Sequence, residues 1–365
     1  MAPTNSGFSD LSPSERRDLL KKVAGLTEEE VEALHSPGGL GLEMADRMIE
    51  NVVGLVSVPI GIASGFLIDG KEYLVPMATE QRSVITMAER GASLVRGSEG
   101  FKAESTGSTM IGHIQLMRVQ DFEGARKNIM ALKEEILRLA NTQSRTRIAL
   151  DVEVRALEST VGPMLIVELL VDVRDSMGAN VVDSMLEAVS PLVTSLSGGR
   201  ANVRVLSNLA IRRMVRVEAT AEGDALGSDT VDGIVEASSF AAADPYRAAT
   251  HNKGIMNGVA VVLMATSNDT RAVEAGAHAS LTGGYRPLST CREDGESNLL
   301  GELEMLIQVG IIGGSGSTHS TARIALKILG VKTARELGEV AASTGLACNL
   351  AALTALVSEG ITSIY

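Results

Sequence analysis

One stretch of the chain concentrates reactive side chains. Residues 244–258, DPYRAATHNKGIMNG, bring Arg247, His251, Asn252, Lys253 and Asn257 close together in sequence. A lysine held among such groups can stabilise a developing oxyanion or donate a proton, because burial tunes an ammonium readily. Gly254 and Gly258 would let backbone approach a ligand closely. The same stretch also reads as a polar loop with a solvated lysine, since polar clusters are common on loops. A second cluster follows at 267–278, SNDTRAVEAGAH. Its Asp269 could pair with Lys253 and tune it, or cap a helix after a strand, or do both. A third, VPMATEQRS at 75–83, carries Glu80 as its only carboxylate, followed by Gln81 and Ser83. A lone Glu at the end of a strand is more often solvated or a cap. A fourth, DVRDSMGAN at 172–180, has Gly178 and a predicted helix start that suit a pyrophosphate. It reads equally as a plain strand-to-helix turn capped by Asp175 or Ser176. The fifth, GGSGSTH at 313–319, is a flexible loop able to cradle phosphate, although a Gly/Ser loop is a weak signal.

The elements that must position these residues follow from periodicity. Ser12-Pro13-Ser14-Glu15 is a capping box with proline at the first helical position, and Thr27 to Glu30 repeats the signature. Gly38, Gly39 and Gly41 then break a short helical arm over 1–41. Residues 42–50 resume helical spacing. Residues 52–77 look β-like, with Asp69-Gly70 as the hairpin signal. Residues 80–96 are predicted helical. If Glu80 and Gln81 instead continue the preceding strand, they point to opposite faces, as neighbours on a regular strand do. The small residues 105–109 form a hinge. Beyond it the order is strand 110–119, helix 122–141, strands 148–156 and 164–173, helix 178–196, strand 202–206. In the first helix Ile129, Leu132, Ile136 and Leu139 share a side. This βαββαβ order is the ferredoxin-like arrangement, and no G-x-G-x-x-G follows a strand there. Helical, Gly-rich character returns after about 220. The expected fold is α+β: a large domain, 42–107 and 220–365, interrupted by a ferredoxin-like domain, 108–219.

Composition narrows the function. The 365 residues include two cysteines, Cys291 and Cys348, and carry a formal net charge of −12. Two cysteines cannot build a disulfide framework or, alone, a thiolate metal site, so a reducing compartment and no metal are expected. An acidic chain is a poor general binder of nucleic acid. The N-terminus lacks an apolar signal region. The longest apolar stretch, near Val58–Ile68, is too short to span a bilayer, so a cytoplasmic protein without a membrane partner is expected.

Together these stretches resemble the hydroxymethylglutaryl-CoA (HMG-CoA) reductase family, its class II bacterial and archaeal branch above all. The matching segments are ENVVG at 50–54, VPMAT at 75–79, DVRDSMGAN at 172–180, LSNL at 206–209, residues 244–258, ND at 268–269 with RAVEAGAH at 271–278, and GG at 313–314. They run in family order over nearly the whole chain, and the 244–258 block is highly specific. The resemblance implies two hydride transfers from NADPH or NADH that take HMG-CoA to mevalonate and coenzyme A. It also implies a large acyl-CoA domain and an inserted dinucleotide-binding domain. It makes Lys253 the oxyanion stabiliser, with Asp269 and Asn257 tuning and orienting it. Arg247, Ser83 and Asn252 would contact substrate. Glu50 and Asn51 would serve a site at the interface of a homodimer or a dimer-based oligomer. The dinucleotide would take Asp172, Asp175, Met177, Gly178, Ala179, Asn180, Gly313 and Gly314. Ser144 stands where the family often has an Asp for the ribose diol of NAD, and Arg145 with Arg147 could accept a 2′-phosphate, which leans toward NADPH.

Two departures stand against the family pattern. Gln81 occupies the place of the family Glu, with Glu80 one residue earlier. The family also continues past the Ala-Leu-x-x-Glu-Gly element into a flap with a catalytic histidine, whereas this sequence ends at Tyr365. They leave a second expectation open: a catalytically impaired paralogue that keeps the coenzyme A and dinucleotide pockets.

Overall fold

The computed structural model describes residues 8, 10–35, 41–313 and 319–360. Gly38, Gly39, Gly314 and most of the 313–319 loop lie outside them. The chain divides into two compact units, Met1–Ser105 with Met214–Tyr365, and Thr106–Arg213.

Unit 1 begins with α1 (Pro13–Ala24), α2 (Glu28–His35) and α3 (Leu42–Met48). The α1 capping box forms as its sequence predicts, and Thr27 and Glu30 bond reciprocally at the start of α2. Then come β1 (Ile60–Ile68), β2 (Lys71–Ala78), α4 (Val84–Val95) and β3 (Phe101–Ser105). β1 and β2 form the hairpin at Asp69-Gly70, both in the left-handed region. Residues 52–59, expected to be β-like, make no strand, and Val53 and Val56 are fully exposed there.

Unit 2 runs β4 (Thr109–Met117), α5 (Phe122–Ala131), α6 (Lys133–Asn141), β5 (Ile148–Leu157), β6 (Met164–Asp172), α7 (Ala179–Ser197) and β7 (Arg200–Leu206). Its antiparallel sheet has the order β5-β6-β4-β7, the ferredoxin-like order. The single helix expected at 122–141 breaks at Leu132, whose non-helical backbone leaves its side chain exposed while Ile129 and Ile136 stay buried.

The chain re-enters unit 1 with β8 (Met214–Ala221), α8 (Gly223–Leu226), α9 (Ser228–Ala243), α10 (Pro245–Ala265), α11 (Thr270–Ala279), β9 (Ser289–Glu293), β10 (Leu299–Leu306), α12 (Ser320–Leu329) and α13 (Ala334–Ser358). The second crossing lies at 213/214 rather than near 220, because β8 pairs with β3 and β10 in the sheet β2-β1-β3-β8-β10-β9. The longest apolar segment is α13, not 58–68. It is long and apolar enough to cross a membrane, yet most of it is buried in unit 1, where it packs on α4, α9 and α10. Core burial accounts for that composition.

Candidate active site

Helix α10 presents the densest cluster. Asp244 caps it by accepting from the Tyr246 N–H at 3.0 Å, and Pro245 takes the first helical position. The stretch that also read as a polar loop is therefore regular helix. Arg247 is half-buried and makes no hydrogen bond or ion pair with any described residue, and desolvation alone lowers its proton affinity. A guanidinium withdrawn from water without a partner is unfavourable unless an anion arrives. Lys253 lies exposed two turns on, and its Nζ donates to the Gln81 amide oxygen across 3.3 Å. Asn257, one further turn along, has no hydrogen bond to a described group.

The 244–258 block also contributes scaffold. His251 is buried; its Nε2 lies 2.7 Å from the Ser289 hydroxyl, which donates to Asn349 Oδ1 at 2.8 Å. Burial, then the Arg247 charge, push the imidazole down to about 4, so it stays neutral. Asn252 departs from its expected role. It is fully buried, donates to Arg286 O at 2.8 Å and accepts from Leu288 N–H at 2.8 Å, which leaves no exposed atom for a substrate. Gly258 also departs. A Cβ there would meet Thr344 O of α13 at 2.4 Å, so its close approach is to a helix and not to a ligand, while Gly254 faces open space.

The expected Lys253–Asp269 pair is absent. Asp269 caps α11, accepting from Ala272 N–H at 3.1 Å, and lies 3.6 Å from the Arg271 guanidinium. That cap commits the carboxylate to its own helix. Its neighbour Asn268 accepts from Gly310 N–H at 2.8 Å and so fixes the backbone leading to Gly313.

Glu80 and Gln81 are not strand neighbours, because β2 ends at Ala78. They lie in a bend, where the alternation of strand faces does not apply. Glu80 is exposed and Gln81 reaches Lys253. Ser83 starts α4 with φ +70°, a left-handed conformation rare for a residue with a side chain. Such strain gathers at functional sites. Glu50 and Asn51 are both exposed, with Asn51 at φ +57°.

In unit 2 the 172–178 turn is built tightly. Asp172 accepts from the Ser108 hydroxyl at 2.5 Å and from Arg174 N–H at 2.9 Å. Neither Asp175 nor Ser176 caps α7; Gly178 does, at φ +99°. A Cβ on Gly178 would lie 2.4 Å from Val173 Cγ1, so the tight packing requires glycine. The backbone N–H groups of Met177, Gly178, Ala179 and Asn180 donate to no described group. A polyphosphate fits that donor set. Ser144 accepts from Thr146 and Arg147 N–H, which shapes the 144–147 turn. Arg145 is exposed, and Arg147 Nε donates to the Ser176 hydroxyl at 3.4 Å, tying this turn to the 172–178 turn. Sequence reasoning missed that tie. It also missed Arg213, a buried arginine whose adjacent residues give no pattern that marks it.

A sequence profile of the hydroxymethylglutaryl-coenzyme A reductase family matches residues 12–363. The 3-hydroxy-3-methylglutaryl-coenzyme A reductase of Archaeoglobus fulgidus is 48% identical over 362 residues, covering 97% of this chain and 83% of that protein. A probable reductase of the same name from Borreliella burgdorferi is 32% identical over 86% of this chain and 74% of its own. The class II enzyme of Streptococcus pneumoniae, solved with NADPH in open conformations, superposes with a TM-score of 0.93 at 38% identity. That match covers 98% of this chain and all of the other. On this sequence and fold agreement, the chain belongs to the hydroxymethylglutaryl-coenzyme A reductase family.

Proposed function

We propose that the protein reduces HMG-CoA to mevalonate and coenzyme A, with NADPH as the reductant. The observation that carries this reading is Arg247, a half-buried cation without a partner among the described residues, on the helix that also presents Lys253 and Asn257. HMG-CoA carries a free carboxylate that such a cation would hold. The Lys253 ammonium would then meet the thioester oxygen as it gains negative charge, the point at which a fixed cation lowers a barrier most. Gln81 holds that ammonium in place; as a neutral amide it orients but does not deliver a proton as a carboxylic acid would. Asn257 would complete the polar surface, and Ser83 would face the acyl group. Asp269 would act on the site only indirectly, by capping the start of α11.

Bound NADPH supplies two hydrides in succession, so that one thioester, two NADPH and two protons give one alcohol, one thiol and two NADP+. Unit 2 would take the dinucleotide on the 172–180 turn, with Arg145 and Arg147 near the 2′-phosphate. Arg147 already rests on that turn through Ser176, which favours NADPH over NADH. Unit 1 would take the acyl-CoA.

A second copy of the chain is the expected partner. Ile49, Val53 and Val56 flank or follow Glu50 and Asn51 and are largely or fully exposed, an apolar strip that a homodimer would cover. The burial of α13 supports a soluble enzyme.

The test is purified protein with HMG-CoA and each nicotinamide cofactor, followed by nicotinamide absorbance. The expected result is two NADPH oxidised per HMG-CoA consumed, with a lower KM for NADPH than for NADH. Intact binding of HMG-CoA with no oxidation of either cofactor would replace the enzyme with a binding protein.

A further inference from the structure

Arg213 is the last residue of unit 2 and is 4% exposed. Its guanidinium donates to two successive backbone carbonyls, Ser176 O at 3.2 Å and Met177 O at 3.4 Å. Both belong to the turn between β6 and α7. Burial lowers its proton affinity to about 10, opposed by the charges of Asp172 and Asp175, so the group remains a cation at neutral pH. Burying an arginine is unfavourable unless its donors are used and its charge is balanced; here Nη1 serves two carbonyls of one turn, and the charges of Asp172 and Asp175 oppose the cost of burial.

The consequence follows from peptide geometry. The carbonyl and N–H of a trans peptide point in opposite directions, and no cis peptide occurs among the described residues. Two carbonyls fixed on a buried guanidinium therefore turn the N–H groups of Met177 and Gly178 away from it. Those N–H groups, with the next two at Ala179 and Asn180, are the donors that have no described partner. The other bonds of the turn hold its first half, through Asp172, Val173 and the Ser176 N–H and hydroxyl, and none of them takes the Ser176 or Met177 carbonyl. Arg174 at φ +51° and Gly178 at φ +99° are both left-handed, and the tie from Arg147 reaches only the Ser176 hydroxyl. We propose that Arg213 is the positioning residue of the dinucleotide turn: from beneath, it locks the Ser176 and Met177 carbonyls inward so that the following N–H groups face the pyrophosphate, and it lends its buried charge to that anion.

This inference rests on the reading of residues 172–180 as the dinucleotide site, and the experiment separates the two. Gly178→Val places a side chain where neither the backbone nor Val173 allows one. If NADPH affinity survives that change, the turn is not the dinucleotide site. With the turn established, Arg213→Met is expected to raise the NADPH KM at least tenfold while the HMG-CoA KM stays within twofold of wild type. Arg213→Lys should recover part of the loss, since it restores the charge but not the two-carbonyl fork. Millimolar guanidinium should recover NADPH affinity in Arg213→Ala and leave the wild type unchanged. Should Arg213→Met fail to fold, the ratio of the two KM values is read in Arg213→Lys. An unchanged NADPH KM in a folded variant, an equal loss for both substrates, or no response to guanidinium would each overturn the proposal.

Discussion

Lys253 donates to Gln81 and not to Asp269. The first contact spans 3.3 Å, while the Asp269 carboxylate is engaged by Ala272 N–H and the Arg271 guanidinium. The ammonium thus faces a dipole rather than a counter-charge. An amide leaves more of a cation's field available to a developing oxyanion than a carboxylate does, because it neutralises nothing. It also supplies no acidic proton. On the proposed reading, the Lys253–Gln81 pair would serve charge stabilisation more than proton delivery.

Replacing Lys253 should therefore separate activity from stability. Lys253→Met removes an exposed side chain with one hydrogen bond, and its effect on unfolding free energy should stay within about 0.5 kcal/mol. Turnover with HMG-CoA should fall roughly a hundredfold or more, the scale of losing a group aimed at an oxyanion. Denaturant titration and steady-state kinetics on one preparation read both. Turnover within threefold of wild type would remove Lys253 from the chemistry.

Gln81→Glu should raise turnover. The new carboxyl would lie within reach of Lys253 and could carry the proton that the amide cannot. A tenfold gain, with a bell-shaped pH profile absent from the wild type, is the expected signature. An unchanged rate would mean that proton delivery does not limit this enzyme.

Arg247 offers a different contrast. Its guanidinium is partly desolvated and has no described partner, so Arg247→Met should leave the protein as stable or make it slightly more so. The same change should raise the KM for HMG-CoA tenfold or more, consistent with losing a charge-assisted contact of about 1.5–3 kcal/mol. A variant that loses stability while keeping its KM would make Arg247 a structural residue.

Much of this was legible in the sequence, and the failures have physical causes. The α1 capping box, the Asp69-Gly70 hairpin and the βαββαβ order were readable because each rests on local preference. Leu132 was misplaced because a helix break needs only one residue to leave the helical region, and periodicity averages over it. The substrate role of Asn252 and the pairing of Asp269 with Lys253 came from the resemblance and from residue type, whereas the capping role of Asp269 was readable locally. Whether a polar side chain meets a ligand or holds the protein's own backbone depends on what packs around it, and residues 286–288 lie more than thirty positions from Asn252. Arg213 was invisible for the same reason, since its acceptors lie more than thirty residues upstream.

The buried His251 predicts a pH dependence of stability. Its folded-state value is depressed to about 4, against an ordinary 6.5. Between these two values the native protein holds the ring neutral, whereas the unfolded chain takes up a proton below 6.5. The stabilisation is therefore complete above pH 6.5 and is lost as pH falls toward 4. The loss is roughly 3 kcal/mol, since each tenfold drop in proton affinity is worth about 1.4 kcal/mol. Urea midpoints at pH 7 and pH 4.5 should differ by more in wild type than in His251→Gln. Equal differences would mean that the ring is solvated in the native state.

The glycines of α10 carry a test of how the helix is held. Gly258 meets the α13 backbone, where an added Cβ would lie 2.4 Å from Thr344 O, and a Cβ on Gly345 of α13 would lie 2.7 Å from the Val259 side chain at Cγ2 and 3.3 Å from Ile255 O. The two helices cross on these glycines, so backbone sits against backbone with little room to yield. Gly258→Ala must push α10 off α13, and overpacking of this kind costs roughly 1–3 kcal/mol. It should also move Lys253 and Asn257, which ride on the same helix, and so lower kcat in whatever fraction stays folded. Gly254 is the control, one turn away with nothing within 4 Å of a Cβ. Gly254→Ala should stabilise the protein by about 0.5–1 kcal/mol through helix propensity alone. If a bound acyl-CoA comes up against the backbone at Gly254, that gain in thermal midpoint will be accompanied by a higher KM. If it does not, KM will be unchanged and Gly254 is simply an unfavourable residue in a half-buried helix turn. Thermal midpoints and KM values for the two variants, taken side by side, distinguish a glycine needed by the fold from one used by the ligand.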